Sequence, residues 1–137
     1  MAQNKDGTKK RKVLLMDDDE IILSAINGLL VNLGYNIETC RDGWQAISLY
    51  EKALKDNNPF DAVVMDLNIP DSMGGKKAME ELLHIDPHAK GIVSSGFPND
   101  SVMSDYRKHG FSGAVEKPYK IEELDKVLTQ VISEKSQ

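Results

Sequence analysis

Apolar positions in this chain fall into short unbroken runs, separated by longer stretches in which they recur every three or four residues. Val13-Leu14-Leu15-Met16, Ala62-Val63-Val64-Met65 and Gly91-Ile92-Val93-Ser94 are runs without polar alternation, the pattern of strands buried on both faces. Ile37–Thr39 is a weaker strand, and Gly113–Glu116 is the fifth. Between them the period changes to that of helices. Ile21, Ile22, Ala25, Ile26, Leu29, Leu30 and Leu33 form the first set, with Gly34 where a helix C′ residue belongs. Asp42 can cap a second helix reaching about Lys55 and burying Ala46, Ile47, Leu49, Tyr50 and Leu54. A loop with Pro70, Gly74 and Gly75 precedes a third helix carrying Ala78, Met79, Leu82 and Leu83 up to Pro87. Asn99 can cap a short fourth helix toward His109, and Ile121, Leu124, Val127, Leu128, Val131 and Ile132 mark the last.

Five strand-then-helix units predict an α/β fold. Parallel strands need crossovers, so helices cover both faces of one parallel sheet. Ligands in such sheets bind beyond the carboxyl ends of the strands, which makes the residues just after each strand the ones to question.

Composition narrows the functional classes. The 137 residues suit one domain, expected over residues 11–133, with disordered polar tails at 1–10 and 134–137. With 17 Lys+Arg against 22 Asp+Glu, the net charge of −5 disfavours direct nucleic-acid binding. Lys5, Lys9, Lys10, Arg11 and Lys12 read as a solvated basic tail. A lone Cys40 allows no internal disulfide. No apolar window is long enough to span a membrane, and Met1–Lys12 has no continuous apolar stretch that would make it a secretory signal. The expected location is cytoplasmic, without membrane contact. Trp44 and the histidines His84, His88 and His109 have no partner at ligand spacing and read as packing or surface residues.

The strand ends carry the chemistry. Asp17, Asp18 and Asp19 follow the first strand, Asp66 ends the third, Ser95 follows the fourth and Lys117 ends the fifth. Each alone is an ordinary cap, loop or surface residue; four strand ends pointing to one rim are not. Clustered carboxylates repel unless they hold protons or a cation. All-oxygen donors suit Mg²⁺ or Mn²⁺ rather than zinc. Asp17, Asp18 and Asp66 supply −3, which a divalent cation and Lys117 would balance. An aspartate can act as nucleophile in phosphoryl transfer, a reaction governed by positioning and charge stabilisation.

Four segments resemble response-regulator receiver domains of two-component signalling: Val13-Leu14-Leu15-Met16-Asp17-Asp18-Asp19-Glu20, Asp61–Pro70 around Asp66, Ile92-Val93-Ser94-Ser95-Gly96, and Glu116-Lys117-Pro118-Tyr119. The resemblance covers about residues 11–133. It implies a flavodoxin-like three-layer α/β/α fold with strand order 2-1-3-4-5. By position it implies Asp66 as phosphoacceptor, Asp17 and Asp18 as Mg²⁺ ligands together with Asp66, and Asn68 as a ligand through its backbone carbonyl. Ser95 would hydrogen-bond the phosphoryl group, Lys117 would pair with its oxygens, and Lys117-Pro118 would be cis. Asp19 is left as a helix cap or solvated residue. The implied partners are a histidine kinase or histidine phosphotransfer domain upstream and a protein downstream. The implied behaviour is a self-phosphorylating and self-dephosphorylating switch rather than an enzyme.

Ala114 and Ser95 depart from the family pattern, and Phe97 and one loop bear on how the switch would work. Ala114 stands where many receivers have an aromatic residue in the fifth strand, so the signal is expected to travel through the loop Ser95–Pro98 instead. Ser95 replaces the commoner threonine, and Phe97 is placed to shield an acyl phosphate from water. The loop Pro70–Lys76 resembles that of receivers attached to hybrid sensor kinases, whose parent would be a histidine kinase. Two other readings stay open on sequence: an aspartyl-phosphate phosphohydrolase using Asp17 and Asp19, and a degenerate receiver that only binds a partner.

Overall fold

The computed structural model describes residues 10–97 and 99–134. Strands β1 (Lys12–Met16), β2 (Asn36–Cys40), β3 (Ala62–Asp66), β4 (Gly91–Ser95) and β5 (Gly113–Glu116) form one parallel sheet in the order β2-β1-β3-β4-β5. Helices α1 (Glu20–Asn32), α2 (Gly43–Lys55), α3 (Gly75–Ile85) and α4 (Ser101–Ser104) lie in the crossovers, and α5 (Ile121–Ser133) follows β5. This is the doubly wound arrangement that the alternating periods imply.

Strand pleating splits the core in two. Leu14 and Met16 of β1 turn toward Ala46, Tyr50, Ala78, Met79 and Leu82. Val13 and Leu15 turn toward Leu23, Leu30, Leu124 and Leu128 on the other side. Both faces being dry, the strand needs no polar alternation. Each large side chain so buried contributes about 1.5–3 kcal/mol.

The helix ends follow local chemistry. Asp19 caps α1, its Oδ1 accepting from the Ile21 and Ile22 amides at 3.0 and 3.2 Å. At the other end Gly34 takes φ +99°, and the Gly34 and Tyr35 amides donate back to the Val31 and Leu30 carbonyls. That paired bonding closes a helix through a left-handed glycine, with the buried Tyr35 packed behind it. Asp42 caps α2 by accepting from the Gln45 amide.

Four expectations need correction. The cap of α4 is Asp100, whose carboxylate accepts from Val102 N, and not Asn99; α4 lasts one turn before a 3-10 turn over Tyr106–His109. On α1 the inward face is centred on Leu23 and Leu30, while Ile21 is 82% exposed and Leu33 51%. The nearly all-apolar helix made the direction of that face illegible. Lys12 belongs to β1 and is buried, its Nζ 4.5 Å from the Phe60 ring centre and bonded to the Asn58 carbonyl. Arg11 likewise engages Thr129 through its guanidinium. The rest of the tail, residues 1–9, lies outside the described residues, as do 135–137. No helix among the described residues is long and apolar enough to cross a membrane.

Candidate functional site

Register sets the site. Met16 of β1 pairs with Met65 of β3, so Asp17 and Asp66, each next along its strand, arrive level at the carboxyl rim. Asp66 pairs with Ser94 and Ser95 with Glu116, which brings Ser95 and Lys117 to the same level. The Lys117 amide donates to the Ser95 carbonyl at 2.8 Å, continuing the ladder one residue past β5. The Lys117-Pro118 peptide is cis.

Two of the carboxylates are nearly dry: Asp17 and Asp66 are each 5% exposed. Lys117 lies between them, its Nζ 2.6 Å from Asp17 Oδ2 and 3.1 Å from Asp66 Oδ2. The second oxygens are also occupied. Asp17 Oδ1 accepts from the Asp19 amide at 2.9 Å and Asp66 Oδ1 from the Asn68 amide at 3.1 Å. Oxygens of Asp17, Asp18 and Asp66 lie within 4.8 Å of one another. Ser95 is fully buried, with Oγ accepting from Asn68 Nδ2 at 3.1 Å and from the Phe97 amide at 3.0 Å.

Burial raises the Asp66 pKa above the usual carboxylate value; the Asn68 amide and the Lys117 charge pull it back, and neighbouring Asp17 pushes it up again. For Lys117 burial disfavours the charged form, but the hydrogen bond to Asp17 and the charges of Asp66 and Asp17 outweigh it and hold the ammonium above its ordinary value. Three carboxylates and one ammonium leave a formal charge of −2 (−3 + 1), a deficit that a divalent cation would cancel.

Asp17, Asp18, Asp66, Asn68, Ser95 and Lys117, all named from sequence, therefore gather at one rim. Asp19 does not join them: it is exposed and committed to capping α1, which leaves the phosphohydrolase arrangement without its second acid. Ala114 packs against the core below the rim. Phe97 stands 65% exposed, its amide donating to Ser95 Oγ and its carbonyl accepting from the Asp100 amide. Sequence reasoning missed Arg41. It follows β2 on the same rim, its guanidinium 2.8 Å from Glu20 and 3.3 Å from the Asp18 carbonyl. Its position directly after a strand was the available signal.

Residues 13–129 match the family model of the response regulator receiver domain. The chain belongs to that family. This receiver is 30% identical to the chemotaxis protein CheY of Thermotoga maritima, over 85% of the chain and 97% of that relative. It is 28% identical to the two-component response regulator ORR21 of rice over 90% of the chain, but spans only 17% of that protein's length. In fold it is similar to the CheX-CheY-BeF3-Mg complex of Borrelia burgdorferi, with a TM-score of 0.84, 22% identity and 96% of each chain covered. A receiver is a phosphoacceptor switch of two-component signalling, not a classical enzyme.

Proposed function

We propose that Asp66 is the phosphoacceptor, taking a phosphoryl group from a phosphohistidine on a histidine kinase or histidine phosphotransfer domain. The observation that carries this reading is the ammonium of Lys117 shared between Asp17 and Asp66 at 2.6 and 3.1 Å, in a nearly dry pocket. An Asp66 oxygen forms the new P–O bond as the P–N bond breaks, and the electron pair leaves on the imidazole nitrogen, which takes up a proton. Lys117 pairs with phosphoryl oxygens, and the Ser95 hydroxyl donates to another. Later attack of water on phosphorus releases inorganic phosphate and restores the carboxylate. The chain thus cycles between two states of its own, each cycle consuming one phosphohistidine phosphoryl group and one water.

Asp17, Asp18, Asp66 and the Asn68 carbonyl would hold Mg²⁺, with Mn²⁺ as the other hard cation the donors admit. The fit rests on an all-oxygen donor set and on the uncancelled charge of −2. When bound, such a cation supplies charge neutralisation for the phosphoryl oxygens.

An upstream partner has a surface to meet. Ile22, Ala25 and Ile26 of α1 border an open cavity of about 520 Å³ together with Gly96, Pro118 and Tyr119, and Lys117 reaches its edge. A helix laid across this apolar face would present a histidine beside the acidic pocket. Such a partner places the module in the cytoplasm. With a net charge of −5, output runs through protein contact rather than nucleic acid. The loop Pro70–Lys76 favours a parent of the hybrid-kinase type.

Incubation with acetyl phosphate, with and without Mg²⁺, followed by intact-mass measurement tests the reading. One metal-dependent phosphoryl adduct, lost in Asp66→Asn, is expected. Adduct formation that survives Asp66→Asn overturns the assignment.

A further inference from the structure

Asn68 contacts both reacting groups. Its backbone amide donates to Asp66 Oδ1 at 3.1 Å, and its side-chain amide donates to Ser95 Oγ at 3.1 Å. A hydroxyl has two lone pairs and one proton. Both acceptor positions of Ser95 are taken, by Asn68 Nδ2 and by the Phe97 amide at 3.0 Å. The side chain is fully buried, so bulk water does not compete. Among the described residues the hydroxyl proton has no acceptor, which leaves a buried donor waiting for one.

Serine makes this arrangement necessary. A β-branched threonine is stiff about χ1, whereas serine lacks the methyl that confers the stiffness. Here the orientation has to come from outside the residue, and the two donors fix Oγ from the loops after β3 and β4. We infer that the Asn68 side chain is a positioning residue that holds Ser95 with its proton free for a phosphoryl oxygen, an inference that rests on Asp66 being the phosphoacceptor. Asn68 thereby acts through its side chain as well as through the carbonyl assigned to the metal.

A double-mutant cycle on the full chain tests this, with adduct formation from acetyl phosphate at saturating Mg²⁺ as the kinetic readout. Asn68→Ala slows the reaction about tenfold, the worth of one orienting hydrogen bond. In a Ser95→Ala background the same substitution changes the rate by less than about twofold, because nothing is left to orient. An equal effect in both backgrounds, or none in the parent, overturns the inference while leaving the phosphoacceptor reading intact; absence of any adduct in the parent sinks both. A second measurement needs neither metal nor phosphodonor. The Phe97 amide resonance shifts in Asn68→Ala, because Oγ is released, and an unmoved resonance counts against the proposal.

Discussion

Replacing Lys117 with methionine isolates the electrostatics of the rim. The substitution keeps most of the side-chain bulk and removes the one cation between Asp17 Oδ2 and Asp66 Oδ2, at 2.6 and 3.1 Å. The two carboxylate side chains are 8% and 7% exposed, so water screens them poorly, whereas Lys117 itself is 19% exposed. Removing one partner of a buried ion pair costs about 3–5 kcal/mol; the partial access of Lys117 to water puts the expectation at the lower end, about 3 kcal/mol. For a domain of this size that lowers Tm by about 10 °C. The loss depends on pH. Because burial raises the folded Asp66 pKa above its unfolded value, protonation favours the native state, and charging costs stability as pH rises through the raised value. The gap between Lys117→Met and parent therefore shrinks toward pH 4 and opens toward neutrality. Mg²⁺ should stabilise the variant more than the parent, since the formal charge it meets changes from −2 to −3; at 100 times its Kd it contributes about 2.7 kcal/mol. Thermal unfolding by circular dichroism at several pH values, with and without Mg²⁺, reads all three effects. A Tm loss that is absent, or that ignores both pH and Mg²⁺, refutes a shared pocket.

Asp66→Asn should stabilise the metal-free protein at neutral pH, with the advantage fading as pH falls through the raised Asp66 value; urea denaturation across pH measures it. Gly74→Ala forces a Cβ to within 2.4 Å of the Leu67 carbonyl oxygen, so the loop after Asp66 must shift. A loss of about 2 kcal/mol is expected, together with weaker Mg²⁺ binding by calorimetry. Tyr50→Phe removes the 2.7 Å hydrogen bond to half-buried Asp86 and should cost about 1.5 kcal/mol in chemical denaturation. Cys40 is buried and its thiol is pushed up to about 12, first by desolvation and then by Asp42. At pH 8 only about one molecule in ten thousand carries the thiolate, so alkylation should be slow in the native state and fast once the chain is unfolded.

The fold was legible because strands and helices announce themselves by period. Runs such as Val13–Met16 have no polar side to show, since Leu14 packs on one helical layer and Leu15 on the other. The site residues were legible because position after a strand is a one-dimensional property that topology turns into proximity. Less was legible where local pattern is degenerate. Almost every inward-capable position of α1 is apolar, so only packing decides that Leu23 goes in and Ile21 stays out. Lys12 reads as tail by charge, yet strand register buries it over Phe60.

By itself the sequence determined the alternation of elements, the parallel sheet and the set of acidic, hydroxyl and ammonium groups available at its rim. The tertiary structure decided which of them meet, and through which atoms. Lys117 was shared between two carboxylates, and the Asn68 side chain was joined to Ser95 across 27 positions of chain. Those choices depend on strand register and on rotamers chosen in a dry, crowded pocket, and neither is written in the order of residues along a single segment.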